Sequence, residues 1–113
     1  MQEGSEFAAE IDRSTPEAVV VRATGELDLM TVPKLDAVLK EVMADKADLE
    51  LDLSGLDFID STGVHLVLGA HDASLRDSWK FTIVGAGADV KRAFELLGLL
   101  DHLPFRDPPR SAS

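Results

Sequence analysis

The sequence predicts an α/β domain in which a mixed β-sheet carries helices mainly on one face. Apolar residues recur with a period of two in some segments and at spacings of three and four in others, and the two patterns alternate along the chain. The resulting order is β-β-α-β-α-β-α with a short closing strand. It opens on a hairpin and continues through strand-helix-strand units, whose right-handed crossovers lay helices against one side of a sheet. A composition of 45% hydrophobic and 28% charged residues over 113 positions suits one folded core rather than a disordered chain.

Each element has its own justification. Phe7, Ala9 and Ile11 alternate with acids, and EAVVVRATGEL supplies a β-branched run after Pro16, so two strands joined by the RSTPE turn are expected. Thr31 is placed to cap a helix that tolerates Pro33 in its first turn, with Leu35, Val38, Leu39, Val42 and Met43 on one stripe. DLELDLSGL alternates, Leu49, Leu51 and Leu53 on one face and Glu50 and Asp52 on the other, as a strand covered on one side does. From Val64 the period lengthens again, and Val64, Val67, Leu68, His71 and Leu75 share a helical face ending near Asp77. WKFTIVG reads as a fourth strand, GAGAD as a turn and VKRAFELLG as a helix closed at Gly98, and LLDHLPF adds a brief edge strand. Trp79, Met30 and Phe58 read as packing residues. The single domain spans 6–106, and the polar, turn-rich ends at 1–5 and 107–113 are expected to be flexible.

Charge and composition exclude several functions. Acidic residues outnumber basic ones by 21 to 11, and a formal charge of -10 repels a phosphate backbone, so no nucleic-acid partner is expected. Cysteine is absent, which removes thiol nucleophiles and thiolate metal sites. His65, His71 and His102 lack the paired spacing of a zinc site, so no metal is expected, and GAGAD lacks the further glycine and the acid of a dinucleotide loop. The acidic opening MQEGSEFAAEIDRS does not resemble a secretory leader and no run approaches a membrane span, which together point to a cytoplasmic protein with no membrane insertion.

The stretch DFIDSTGV, residues 57–64, carries the chemistry. Ser61 and Thr62 fall at the expected N-cap of the second helix, where unpaired amides and the helix dipole gather about half a positive charge. Such a hydroxyl has two uses. It can cap the helix, or it can carry a phosphate of roughly -1.5 to -2 charge that accepts hydrogen bonds from the amides without breaking the fold. A parallel sheet would bring Asp57, Asp60, Glu26 and Asp28 to the same edge.

GELD at 25–28, DLSGLDFIDSTG at 52–63 and GAGADVKRAFELLGL at 85–99 together resemble the anti-sigma factor antagonists, single-domain members of the STAS family, over nearly the whole ordered chain. The resemblance implies a non-enzymatic partner switch without a cofactor of its own. The unmodified chain would bind an anti-sigma factor with serine kinase activity and release a sigma factor; phosphorylation, by that ATP-using kinase, would fall on Ser61 and end binding; and a serine phosphatase would reset the switch. It places Asp28, Asp60, Ser61, Thr62, Gly63 and His65 at the docking surface; by their own chemistry Asp60 can instead orient the hydroxyl, hold the turn or cap, and Gly63 reads as structural, permitting close approach of the helix start. His65 departs from the small residue that many relatives carry there. A stand-alone STAS subunit docking on a membrane transport ATPase is the alternative, and a small hydrolase using Ser61 and His65 is a third reading, without a nucleophile elbow or an identifiable third group.

Overall fold

The computed structural model describes residues 6–106; the ends expected to be flexible, 1–5 and 107–113, lie outside the described residues. The elements are β1 (Ala8–Asp12), β2 (Val19–Leu27), α1 (Val32–Met43), β3 (Leu49–Ile59), α2 (Ser61–Asp77), β4 (Phe81–Val84), α3 (Ala88–Leu96) and β5 (Phe105–Arg106). They form a five-stranded sheet in the order β1-β2-β3-β4-β5, antiparallel between β1 and β2 and parallel thereafter. This is the mixed α/β arrangement expected.

The leucine face of β3 makes the core. Leu49, Leu51 and Leu53 merge with Val21, Ala23 and Leu27 of β2 and with Leu35, Leu39, Val42, Val64, Val67, Val90 and Phe94 from the three helices into one buried cluster. The other face is polar. Arg22 reaches Asp12 at 3.1 Å and Asp52 at 3.5 Å, and Arg106 reaches Glu50 at 2.6 Å. Two hydrogen bonds from Ser14 and one from Arg22 hold the Asp12 carboxyl at about 2.

β3 runs further than its alternation suggests. Arg22 stands opposite Asp52 but Thr24 opposite Gly55, and Gly25 opposite Leu56 but Glu26 opposite Phe58, so β3 spends an extra residue at each of two irregularities. The extra residues break the period of two, and Leu53, Leu56 and Ile59, three apart, are all buried. β4 stops early, its Val84 opposite Asp52, while β2 and β3 continue paired to Leu27 and Ile59. The functional stretch begins at that projecting tip.

Two expectations about packing need correction. The buried line of α2 runs through Gly63, Val64, Val67, Ala70 and Ser74, and Leu75 is 68% exposed rather than part of the core face. Gly63, Ala70 and Ser74 lie on the face turned inward, and Leu75, one position past Ser74, falls outside that stripe. Met30 and Phe58, expected as packing, are 81% and 47% exposed. Trp79 is buried and meets Phe81 edge-on, with ring centroids 6.3 Å apart. At the end of α3, Gly98 takes a φ of 73° while its amide bonds Glu95 and that of Leu99 bonds Phe94, the paired closure that favours glycine.

Candidate functional site at the start of the second helix

Neither Ser61 nor Thr62 caps α2. The cap is Asp60, in extended backbone, whose Oδ1 accepts from the Gly63 amide at 3.1 Å and from the Thr62 hydroxyl at 2.5 Å. Its Oδ2 accepts from the Leu29 amide at 3.3 Å, and its own amide donates to the Leu27 carbonyl at 3.1 Å. One carboxylate thus closes the helix and ties it to the loop after β2. Burial works to raise its pKa, but the bonds from Thr62, Gly63 and Leu29 outweigh that and hold it below the ordinary carboxylate range.

With the cap assigned to Asp60, the two hydroxyls part company. Thr62 is half-buried and held by Asp60. Ser61 is exposed in the first helical position, and no hydrogen bond among the described residues engages its hydroxyl.

Gly63, grouped with the docking residues but also read as a structural glycine, is buried, as its structural role requires. A Cβ there would come within 2.7 Å of Ile59 Cγ1 and 2.9 Å of Leu27 Cγ. Its lack of a side chain seats the helix start on the strand tips, so it supports the surface from beneath.

Asp28 is half-buried in the loop after β2, its Oδ1 accepting from the amides of Met30 at 3.0 Å and Thr31 at 3.2 Å. Thr31 occupies the N-cap position of α1 without capping it by side chain, contrary to expectation. Its hydroxyl turns back, donating to the Glu26 carbonyl at 2.8 Å and accepting from the Asp28 amide at 2.9 Å. Asp28 and Thr31 therefore brace a loop that presents Leu29, 68% exposed, and Met30. With Phe58 these side chains make an apolar margin at the end of the sheet where Ser61 stands. Three apolar residues crowd around Asp28 in LDLM, more than one strand tip can cover, and this was the sign in the sequence.

His65 is exposed one turn beyond Ser61, with Nδ1 2.7 Å from the Ser61 carbonyl oxygen. A serine-histidine nucleophile needs a ring nitrogen on the hydroxyl, in practice Nε2 when Nδ1 is held by an acceptor. Here Nδ1 lies on the carbonyl, and no hydrogen bond among the described residues joins the Ser61 hydroxyl to His65. His71 and His102 meet edge-on, their ring centroids 5.7 Å apart. No cluster of three or more His, Cys, Asp or Glu side chains among the described residues could hold a metal ion, and no helix among them is long and apolar enough to cross a membrane.

Comparison with known proteins agrees with this geometry. The chain is 35% identical over 82 residues to the anti-sigma-B factor antagonist of Staphylococcus aureus, covering 72% of this chain and 76% of that one. An anti-sigma factor antagonist from Mycobacterium paratuberculosis superposes with a TM-score of 0.81 at 26% identity, over 92% of this chain and 88% of the other. SpoIIAA in its unphosphorylated form gives 0.71 at 25% identity, over 88% of both chains. The model of the STAS domain matches residues 9–112. With its five-stranded mixed sheet and its helix start at Asp60, the chain belongs to the STAS domain family.

Proposed function

We propose that this chain is a cytoplasmic anti-sigma factor antagonist whose binding to an anti-sigma factor with serine kinase activity is ended by phosphorylation of Ser61. The observation that carries the reading is the division of labour at the helix start: Asp60 caps, Thr62 is tied to it, and the Ser61 hydroxyl alone is exposed and unengaged. The relatives named as anti-sigma factor antagonists support the partner class.

In the transfer, Ser61 Oγ attacks the γ-phosphorus of ATP held by the kinase. The new Oγ–P bond forms as the bond to ADP breaks, and the hydroxyl proton passes to a base of the kinase. The chain acts as substrate and ligand, not as enzyme, and needs no cofactor. A serine phosphatase hydrolyses the ester to restore the hydroxyl. The phosphate arrives next to Asp60 in a chain whose formal charge is already -10. Like-charge opposition at an interface costs several kcal/mol, enough for about a hundredfold loss of affinity with no change of fold.

The test is incubation with ATP and the purified anti-sigma kinase, followed by mass spectrometry and calorimetry. Phosphate is expected on Ser61. Ser61→Ala should stay folded and bound when ATP is present, and Ser61→Asp should stay folded and bind weakly. Phosphate found only at other residues would overturn the assignment.

A further inference from the structure

We infer that His65 is the intramolecular partner of a phosphate on Ser61, which makes the charge of the modified switch depend on pH. This rests on the reading of Ser61 as the phosphoacceptor. A helical side chain lies back over the turn four residues before it. Here that contact exists, His65 Nδ1 lying 2.7 Å from the Ser61 carbonyl oxygen. A carbonyl oxygen only accepts, so Nδ1 carries the hydrogen and Nε2 of the neutral ring holds a lone pair. That lone pair offers nothing to an unprotonated phosphate oxygen. Uptake of one proton makes Nε2 a donor without disturbing Nδ1, and the ring can then give a charge-assisted hydrogen bond to the phosphate.

The surrounding charges do not duplicate this role. His65 lines a groove between α1 and α2 with Asp36 and Lys40 on α1 and Arg76 on α2. Asp36 and Lys40 pair with each other at 3.0 Å, and Arg76 follows eleven residues later on α2. From the end of β3, Asp60 spends its carboxylate on Thr62, Gly63 and Leu29. A phosphate on Ser61 would place a divalent anion within one helical turn of the ring. Phosphoserine itself changes charge near pH 6. Pairing cancels part of the charge shown to the anti-sigma factor, and the phosphorylated form becomes less repulsive as pH falls.

The test installs phosphoserine at position 61 during translation, in the parent and in His65→Gln and His65→Ala, and follows each by phosphorus NMR from about pH 5 to 8. The phosphate of the parent should reach its dianion at a pH lower by about half a unit than in either variant. Gln keeps a hydrogen-bond donor but cannot ionise. Equal midpoints in all three proteins, or a Gln variant that matches the parent, would overturn the pairing. Because the phosphate is built in, this result is independent of whether the kinase selects Ser61, which the kinase assay decides separately.

Discussion

Asp60 joins three parts of the site through one carboxylate: the first turn of α2, the Thr62 hydroxyl and the loop after β2. Removing it leaves the Gly63 and Leu29 amides without their acceptor. Asp60→Ala should therefore destabilise the fold by about 1 kcal/mol at neutral pH, read from urea unfolding. Folding lowers the Asp60 pKa, so the folded chain takes up this proton less readily than the unfolded one. Its contribution is fully present above the unfolded value of about 4 and fades as pH falls through the lower folded value. The gap in stability between parent and Asp60→Ala should accordingly narrow in acid. A gap that stays constant down to about pH 2 would show that the carboxylate is not what caps the helix.

Helix α2 contains two glycines on which the same substitution should have opposite effects. Gly63 is buried against Ile59 and Leu27, and a methyl group there forces the helix off the strand tips, costing about 1 to 3 kcal/mol. A Cβ at Gly69 meets nothing within 4 Å, so Gly69→Ala should stabilise by roughly 0.5 to 1 kcal/mol through helix propensity alone. Thermal unfolding of both variants checks the pair, and loss of stability in both would mean that the helix is seated differently. The order of elements was legible because each strand and helix keeps its own period over most of its length. The terminal residue of α2 was not. Asp, Ser and Thr all cap well, and three in a row leave the choice to the backbone, which places Asp60 in extended geometry and Ser61 already in the helix. The far half of β3 was equally hidden, since its irregular pairing with β2 replaces the period of two by spacings of three. The exposure of Met30 and Phe58 depends on where the strand tips outrun their helical cover, a property of the assembled sheet rather than of either segment.

Across the whole molecule, stability and recognition occupy different places. The core lies between the leucine face of the sheet and three helices, whereas Leu29, Met30, Phe58 and Ser61 stand exposed at one projecting end of β2 and β3. Under the proposed function, this separation would let a phosphate on Ser61 alter binding while leaving the scaffold alone. It also makes the apolar margin testable independently of the phosphate. Exposed apolar residues rarely contribute to folding, so the double variant Leu29→Ser, Met30→Ser should unfold within about 0.5 kcal/mol of the parent. At an interface the same side chains would be desolvated, and their loss should weaken the unphosphorylated chain's grip on the anti-sigma factor by about tenfold or more, mostly through faster dissociation. Raising the salt concentration should not restore that affinity, because the lost contacts are apolar, whereas it should partly rescue Ser61→Asp by screening charge at an exposed site. Calorimetry of both variants at low and high salt separates the two contributions. Unchanged affinity in the double variant would place the partner elsewhere on the molecule, and an identical salt response in both would mean that the Ser61 switch does not act through charge.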